Sequence, residues 1–416
     1  MSLAVRAIDE SEFPEWLRAV RVGFLQTPVV PDGEAADRLA HTDLARTVGA
    51  FDRGRIVATY RSFDQELSTV GGANLAAHAV SGVTVSPTHR RRGLLSRMMT
   101  DDLAAAKERG AACATLIAAE YAIYGRFGFG PASWVSEWSV DVTRAGFDPR
   151  RPGPGAEADG GRIDLSDGAE VREEGPALHR RLAAQRAGIT ARTPRNWDVG
   201  TGNSTLGRPW TEPFYAMYRS ESGEPEGYVA YTADDKWTDG KQPRQTATVR
   251  ELIAVTPAAE RALWRFVCSI DWITSVRTGY RAPDDILPLL LPDPRAAQPV
   301  THTDMLWLRI LDVPKVLEPR TYAVEDTLVL DVRDAGGLAG GRYRLDASRA
   351  GASCVRTDAS PDLVLDVAEL ARLALGDESA LRLAATGTIE EATPGAAARA
   401  DRLLRGALRA WSMDIF

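Results

Sequence analysis

The stretch Val83-Thr84-Val85-Ser86-Pro87-Thr88-His89-Arg90-Arg91-Arg92-Gly93-Leu94-Leu95 places a strand-like run, a basic loop with one glycine and the start of a helix in direct succession. The first amides of a helix lack intrahelical partners and sit at the positive end of its dipole. A phosphate or pyrophosphate binds well there. Gly93 lets the backbone pass an oxygen with no Cβ in the way. Arg90, Arg91 and Arg92 supply charge for the remaining oxygens. Neither GxGxxG nor GxxxxGK[ST] is present, which argues against a dinucleotide or P-loop site. A solvated basic turn ahead of an ordinary helix has the same composition, so the elements around the loop carry weight.

Those elements read as mixed α/β. Phe13, Leu17, Val20 and Phe24 recur at helical spacing, with Ser11 as N-cap. Residues 47–51 and 56–63 read as strands joined through Asp52-Arg53-Gly54, Gly71-Gly72 as a turn and 80–85 as the strand before the loop. The helix after it runs over 93–109, with Leu94, Leu95, Met98, Met99 and Leu103 on one side and Gly110 at its stop. Residues 112–118 are an apolar run for a buried strand.

A break falls at 148–161, around Pro152-Gly153-Pro154-Gly155. Beyond it, 214–219 and 227–231 read as a hairpin about Gly223, 248–255 as a strand, and Ala262, Leu263, Phe266 and Val267 as one side of a helix. Val83-Thr84-Val85-Ser86-Pro87 is echoed by Ile253-Ala254-Val255-Thr256-Pro257, in the same order of hairpin, strand and helix. This predicts a duplicated fold. The second copy has Ala258-Ala259-Glu260-Arg261 in place of the basic loop and is expected to bind no anion there. From about 297 onward the texture changes. Strands at 305–311, 327–332 and 343–345, a turn at Gly340-Gly341, and helices at 368–375 and 396–408 predict an α+β domain with an antiparallel sheet. The expected domains are 1–150, 151–296 and 297–416.

The 416 residues carry a formal net charge of -7, the opposite of a nucleic-acid binder's usual sign. Cys113, Cys268 and Cys354 share no short spacing, and the five histidines are scattered, so neither a disulfide framework nor a metal site is expected. The N-terminus is no signal peptide and no apolar run reaches membrane-spanning length, which predicts a cytoplasmic protein without a membrane span.

Arg90-Arg91-Arg92-Gly93-Leu94-Leu95 resembles the acetyl-CoA loop [QR]-x-x-G-x-[GA] of the GNAT N-acetyltransferases, departing from it at Leu95. Ala119-Glu120-Tyr121-Ala122-Ile123-Tyr124-Gly125-Arg126-Phe127-Gly128-Phe129-Gly130-Pro131-Ala132 resembles the enhanced intracellular survival (Eis) family within that group. Similar blocks lie at 192–198, 280–295 and 305–322. The resemblance implies two tandem GNAT-like domains, the second degenerate, followed by a sterol-carrier-protein-like α+β domain. It also implies an acetyl-CoA co-substrate paired with the backbone of Val83, Thr84 and Val85, surrounded by Arg90, Arg91, Arg92, Gly93 and Leu94, and flanked by Ala119 and Glu120.

By the same resemblance, Tyr124 is the general acid that protonates the leaving thiolate, for which a phenol of pKa near ~10 is suited. Beside Phe127 and Phe129, Tyr124 also fits a core aromatic. The α-carboxylate of Phe416 is implied as the base. A frayed tail is the alternative, although two apolar residues at the end favour docking. The implied acceptor is a small-molecule primary amine of the aminoglycoside type, with Phe24, Trp197 and Asp414 as candidate pocket residues; Phe24 and Trp197 equally suit a core. A homo-hexamer is implied as well. Acetylation of protein lysines, or a non-catalytic carrier of hydrophobic ligands, are the competing readings.

Overall fold

The structure is a computed structural model that describes residues 3–145, 160–207 and 209–416. All but Gly160 and Gly161 of the expected linker lie outside the described residues.

The chain opens with β1 (Ala4–Ala7), α1 (Phe13–Gly23), α2 (Glu34–Leu39), β2 (Thr47–Asp52), β3 (Arg55–Ser68) and β4 (Asn74–Val85). Then come α3 (Leu94–Glu108), β5 (Cys113–Ile117), α4 (Tyr121–Tyr124), β6 (Gly130–Pro131), β7 (Trp134–Asp141) and α5 (Val142–Ala145). Ser11 does not cap α1. Asp9 and Glu12 instead form a reciprocal capping box around the 3-10 turn Glu10–Glu12, with the Asp9 N–H donating to Glu12 Oε2 at 2.9 Å. α3 forms where Leu94, Met98, Met99, Leu103 and Ala106 follow one another at spacings of four, one, four and three, the pattern of one helix face, and all five are buried.

The next segment supplies β8 (Arg162–Ser166), α6 (Gly168–Gln185), α7 (Pro194–Gly200), β9 (Phe214–Arg219), β10 (Pro225–Ala233), β11 (Gln245–Ala254), α8 (Pro257–Cys268) and β12 (Ile273–Arg277). The last supplies β13 (Ala297–Asp304), β14 (Leu306–Ile310), β15 (Asp326–Arg333), β16 (Gly341–Ser348), β17 (Gly351–Arg356), β18 (Leu363–Asp366) and β19 (Ile389–Glu391).

The duplication read from two pentapeptides is present in the topology. β2-β3-β4-β5 and β9-β10-β11-β12 each pair antiparallel, antiparallel, then parallel. The two sheets then exchange strands. β14 inserts between β5 and β6 in the first, while β7 joins β12 and β13 in the second. The strand expected at 305–311 therefore belongs to the first sheet, and cuts at 150 and 296 run between elements that are hydrogen-bonded neighbours.

The third sheet, in the order β17-β16-β15-β18-β19, is not wholly antiparallel as expected. The β16–β17 hairpin occupies one edge of β15, and the returning chain lays β18 parallel to β15 on the other. The final helix stops at Leu404, short of the expected 408, and leaves an extended tail.

The third unit docks on the first. Gly128, at φ 82°, would place a Cβ 2.8 Å from Arg309 and Val367, and one on Gly130 would fall 2.1 Å from the Ala368 carbonyl. These glycines of the IYGRFGFGPA block admit close approach of another domain. Between the two units, fully buried Arg309 donates to both Asp334 oxygens at 2.8 Å, and the amides of Gly336, Leu338 and Ala339 also donate to that carboxylate. Burial opposes the Asp334 charge, but Arg309 and these amides outweigh it and hold the carboxyl below its usual value. This stabilisation is present above the free carboxyl pKa of about 3.9 and is lost as pH falls through the lowered one. Replacing Asp334 by Ala strands the Arg309 charge. It is expected to cost about 3–5 kcal/mol in urea unfolding, and a loss below 1 kcal/mol would contradict this role.

Candidate active site

β4 pairs with β5 only at Ala77, His78 and Ala79. β5 pairs with β14 along its whole length on its other edge, and beyond Thr115 it has no partner on β4, so residues 80–85 of β4 keep one open edge. Ser86 N–H donates to Val57 on the β3 side at 2.8 Å, and a strand alternates its polar groups, so Val85 directs its own toward the opening. An extended chain can add to such an edge. A register shift opposite Gly82 and Val83 bends β4 where the two strands part. Thr84 faces the other way. Its side chain is buried, 2.6 Å from the Thr59 hydroxyl, and packs beneath Gly23 of α1.

The loop from β4 to α3 is exposed at Arg90, Arg91, Arg92 and Gly93. Arg91 (φ 63°) and Gly93 (φ 74°) are left-handed, and a Cβ on Gly93 would meet nothing within 4 Å. The glycine thus relieves backbone conformation beside open space. No side chain caps α3, whose first amides remain available, while Leu94 is buried and anchors the turn. His89 is engaged with Asp52 at 3.1 Å. Arg92 reaches only the Thr88 carbonyl, at 3.3 Å, and Arg90 and Arg91 have no acidic partner among the described residues. Such an arrangement can hold an anion.

Tyr124 ends α4 and shares one apolar cluster with Leu94, Val83, Val85 and Ile123. Its ring meets Phe129 and Trp307 edge-on, with centroids 6.2 and 6.5 Å away. Burial, then the charge of Glu120, raises its pKa above the usual phenol value, so it holds its proton through the neutral range. The hydroxyl has no hydrogen-bond partner among the described residues. Ala119 and Glu120 are exposed in the turn that leads into α4.

A cavity of about 2110 Å³ opens between the first sheet and the second unit. Trp197, Asp414 and Phe416 line it; Phe24 does not, lying half-exposed at the end of α1. The tail is docked. Trp411 and Ser412 are buried, Trp411 N–H donates to the Ala187 carbonyl at 2.9 Å, and Arg281 lies 4.7 Å over the Trp411 ring. Asp414 receives Arg192 Nη2 at 2.7 Å and Nε at 3.0 Å, with His179 Nε2 at 3.7 Å. Burial works against the Asp414 charge, but His179 and Arg192 hold its carboxyl below normal. Arg192 also binds Glu251, which accepts from the Tyr228 hydroxyl. Phe416 then sets its ring edge-on to Phe63, with centroids 5.9 Å apart. The wall is of mixed charge. Six arginines and five side-chain carboxylates line it.

The acetyltransferase (GNAT) domain family matches residues 4–132 and again 188–310, and the sterol carrier protein domain matches 313–413. An uncharacterized N-acetyltransferase of Streptomyces griseus is 60% identical over 418 residues, 100% of both chains. N-acetyltransferase Eis of Mycobacterium tuberculosis is 34% identical, over 94% of this chain and 93% of its own length. The crystal structure of Eis1 from Mycobacterium abscessus superposes with a TM-score of 0.84 at 30% identity, over 99% of this chain and 100% of that one. The chain belongs to the Eis family of GNAT N-acetyltransferases.

It is thus an N-acetyltransferase with an acyl-CoA co-substrate, and the open edge of β4 and the loop at 90–93 fit that group. The second GNAT half differs where it matters. Its helix α8 starts without a basic loop, and Thr256 caps it by accepting from the Ala259 N–H at 3.2 Å. Glu260 is partly buried in its first turn, and that burial together with Asp285 raises its pKa to about 7.

Sequence reading missed the network behind the cavity. His78 Nε2 lies 2.5 Å from Asp102, which also accepts from Tyr60 at 2.7 Å and Ser62 at 2.8 Å, while Arg46 meets His78 Nδ1 at 2.8 Å. These residues hold β3, β4 and α3 in register. The only sequence signal was an acid beside Leu103 on the buried side of a helix. Titration with CoA in a calorimeter is expected to show one site per chain. Replacing Arg90, Arg91 and Arg92 together by Ser should weaken it on the order of 10-fold or more; unchanged affinity, or two equal sites, would refute the assignment.

Proposed function

We propose that the chain transfers the acetyl group of acetyl-CoA to a primary amine by direct attack. The splay of β4 from β5, ending at the uncapped, arginine-rich start of α3, is the observation that carries this. Backbone groups of Val83 and Val85 pair with the pantetheine arm, and Arg90–Gly93 and the α3 amides hold the pyrophosphate. In the cavity, the α-carboxylate of Phe416 takes a proton from the acceptor ammonium, directly or through water. The freed amine nitrogen bonds to the thioester carbonyl carbon. As the carbon–sulfur bond breaks, Tyr124 gives its proton to the sulfur, and the second proton that the nitrogen sheds as the amide forms returns through water to the Tyr124 phenolate. The raised pKa of Tyr124 keeps that proton loaded at neutral pH.

The acceptor is a bulky polar amine, and the cavity size admits an aminoglycoside-like scaffold. Trp197 and Asp414 form part of its wall. We place the enzyme in the cytoplasm, supported by three buried free cysteines. Among the described residues no helix is long and apolar enough to cross a membrane. We infer a homo-hexamer, for which the exposed Trp237–Trp272 pair and Leu165 offer apolar surface.

Acetyl-CoA-dependent thiol release across aminoglycosides, polyamines and lysine peptides tests the reading and separates small-molecule from peptide acceptors. Tyr124→Phe is expected to lower kcat on the order of 100-fold or more with CoA affinity retained; unchanged turnover would remove Tyr124 as the acid.

A further inference from the structure

Among the six arginines that line the cavity, Arg61 is the partly buried one with neither an ion pair nor a hydrogen bond among the described residues; Arg250 also lacks both but is solvent-exposed. Arg38 is paired with Glu34 at 2.9 Å, Arg195 with Asp37 at 2.5 Å and Arg192 with Asp414 at 2.7 Å, and Arg109 reaches His78 at 3.3 Å. Arg61 lies on β3. Its guanidinium lies 4.9 Å from the centre of the Phe63 ring, and it lines the cavity. Burial and the neighbouring charges of Arg38 and Arg195 push its pKa down to about 10, so it remains a cation at neutral pH, in a strained electrostatic position.

A half-buried guanidinium without a counter-charge is costly unless something anionic completes it. Two anions can reach this place: the Phe416 carboxylate or a group on the acceptor. Phe416 touches the same Phe63 ring with its own ring, yet no ion pair joins it to Arg61. Such a pair would also lower the carboxylate's pKa and make it a weaker base. The acceptor is the better source. An ammonium beside the Phe416 carboxylate leaves an anionic group of the same molecule within reach of Arg61, since both side chains meet the Phe63 ring.

We propose that Arg61, flanked by Arg38 and Arg195, anchors an oxyanion on the acceptor, so that the substrate is an amine that also carries a carboxylate or a phosphate. The planar fork of Arg61 fits either group in bidentate fashion. Arg61 and Phe416 meet the same Phe63 ring, the guanidinium 4.9 Å and the Phe416 ring 5.9 Å from its centre, which places the two opposite charges of the substrate within one small molecule. This deepens the acetyltransferase reading and rests on it.

The test is acetyl-CoA-dependent thiol release with three acceptors of one pyranose scaffold: glucosamine, glucosamine 6-phosphate and glucosaminuronic acid, its 6-carboxylate. The wild-type enzyme is expected to favour the phosphate or the carboxylate form over glucosamine on the order of 10-fold in kcat/KM, and the preferred form identifies the anion. Arg61→Gln is expected to erase that preference, and Arg61→Lys to restore part of it. Equal rates for all three acceptors with the wild type, or a preference that survives Arg61→Gln, would overturn the proposal. So would an acid limb of the pH profile that Arg61→Gln shifts equally for every acceptor, since Arg61 would then serve the tail. Binding of glucosamine phosphate by calorimetry separates the two readings. If no acceptor is acetylated but the compound still binds the wild type and not Arg61→Gln, the transferase reading fails and the anion subsite stands.

Discussion

The fork of Arg192 on Asp414 ties the last residues of the chain into the wall of the cavity, and the acceptor side of the enzyme depends on that pair. One carboxylate from the third unit meets a guanidinium from the second, with His179 and Glu251 completing the charge balance. A buried ion pair of this kind contributes little net stability, but losing one partner leaves an unpaired charge at high cost. It therefore fixes geometry. Trp411 and Ser412, buried just upstream, leave the tail no other path, and Phe416 is delivered against Phe63.

The rest of the architecture makes this delivery possible. The two GNAT halves exchange β7 and β14, so neither sheet is complete without a strand from beyond its own segment. The helix Val367–Ala374 packs on β6 and β14 through the gap left by Gly128 and Gly130, and Arg309 locks to Asp334 beneath it. With the third unit held there, a short extended tail spans from Leu404 to the cavity. The proposed cofactor site lies at the other end of the same strand. Residues 74–78 of β4 line the cavity, and 83–85 form the open edge.

Much of this was legible in local sequence. The loop Arg90–Gly93 needs only a strand before it and a helix after it, and both are encoded by short-range periodicity. The duplication showed in two pentapeptides because a strand, a proline and a helix start are local events. Exchange of strands was not legible, since Leu306–Ile310 reads as a buried strand whichever sheet receives it. Phe24 was a pocket candidate by sequence neighbourhood alone, and neither it nor any residue of α1 lines the cavity, a placement that depends on the tertiary packing of α1. The partners of Asp414 and the isolation of Arg61 depend on residues more than a hundred positions apart or on contacts that are missing, and neither leaves a local pattern.

The most direct measurement is single-turnover acetyl transfer by Asp414→Ala, made alongside its CoA affinity. With the tail released from Arg192, transfer is expected to fall on the order of 100-fold while CoA binds as it does to the wild type. Undiminished transfer, or a loss explained wholly by weaker CoA binding, would contradict a role for the docked tail in the acceptor site.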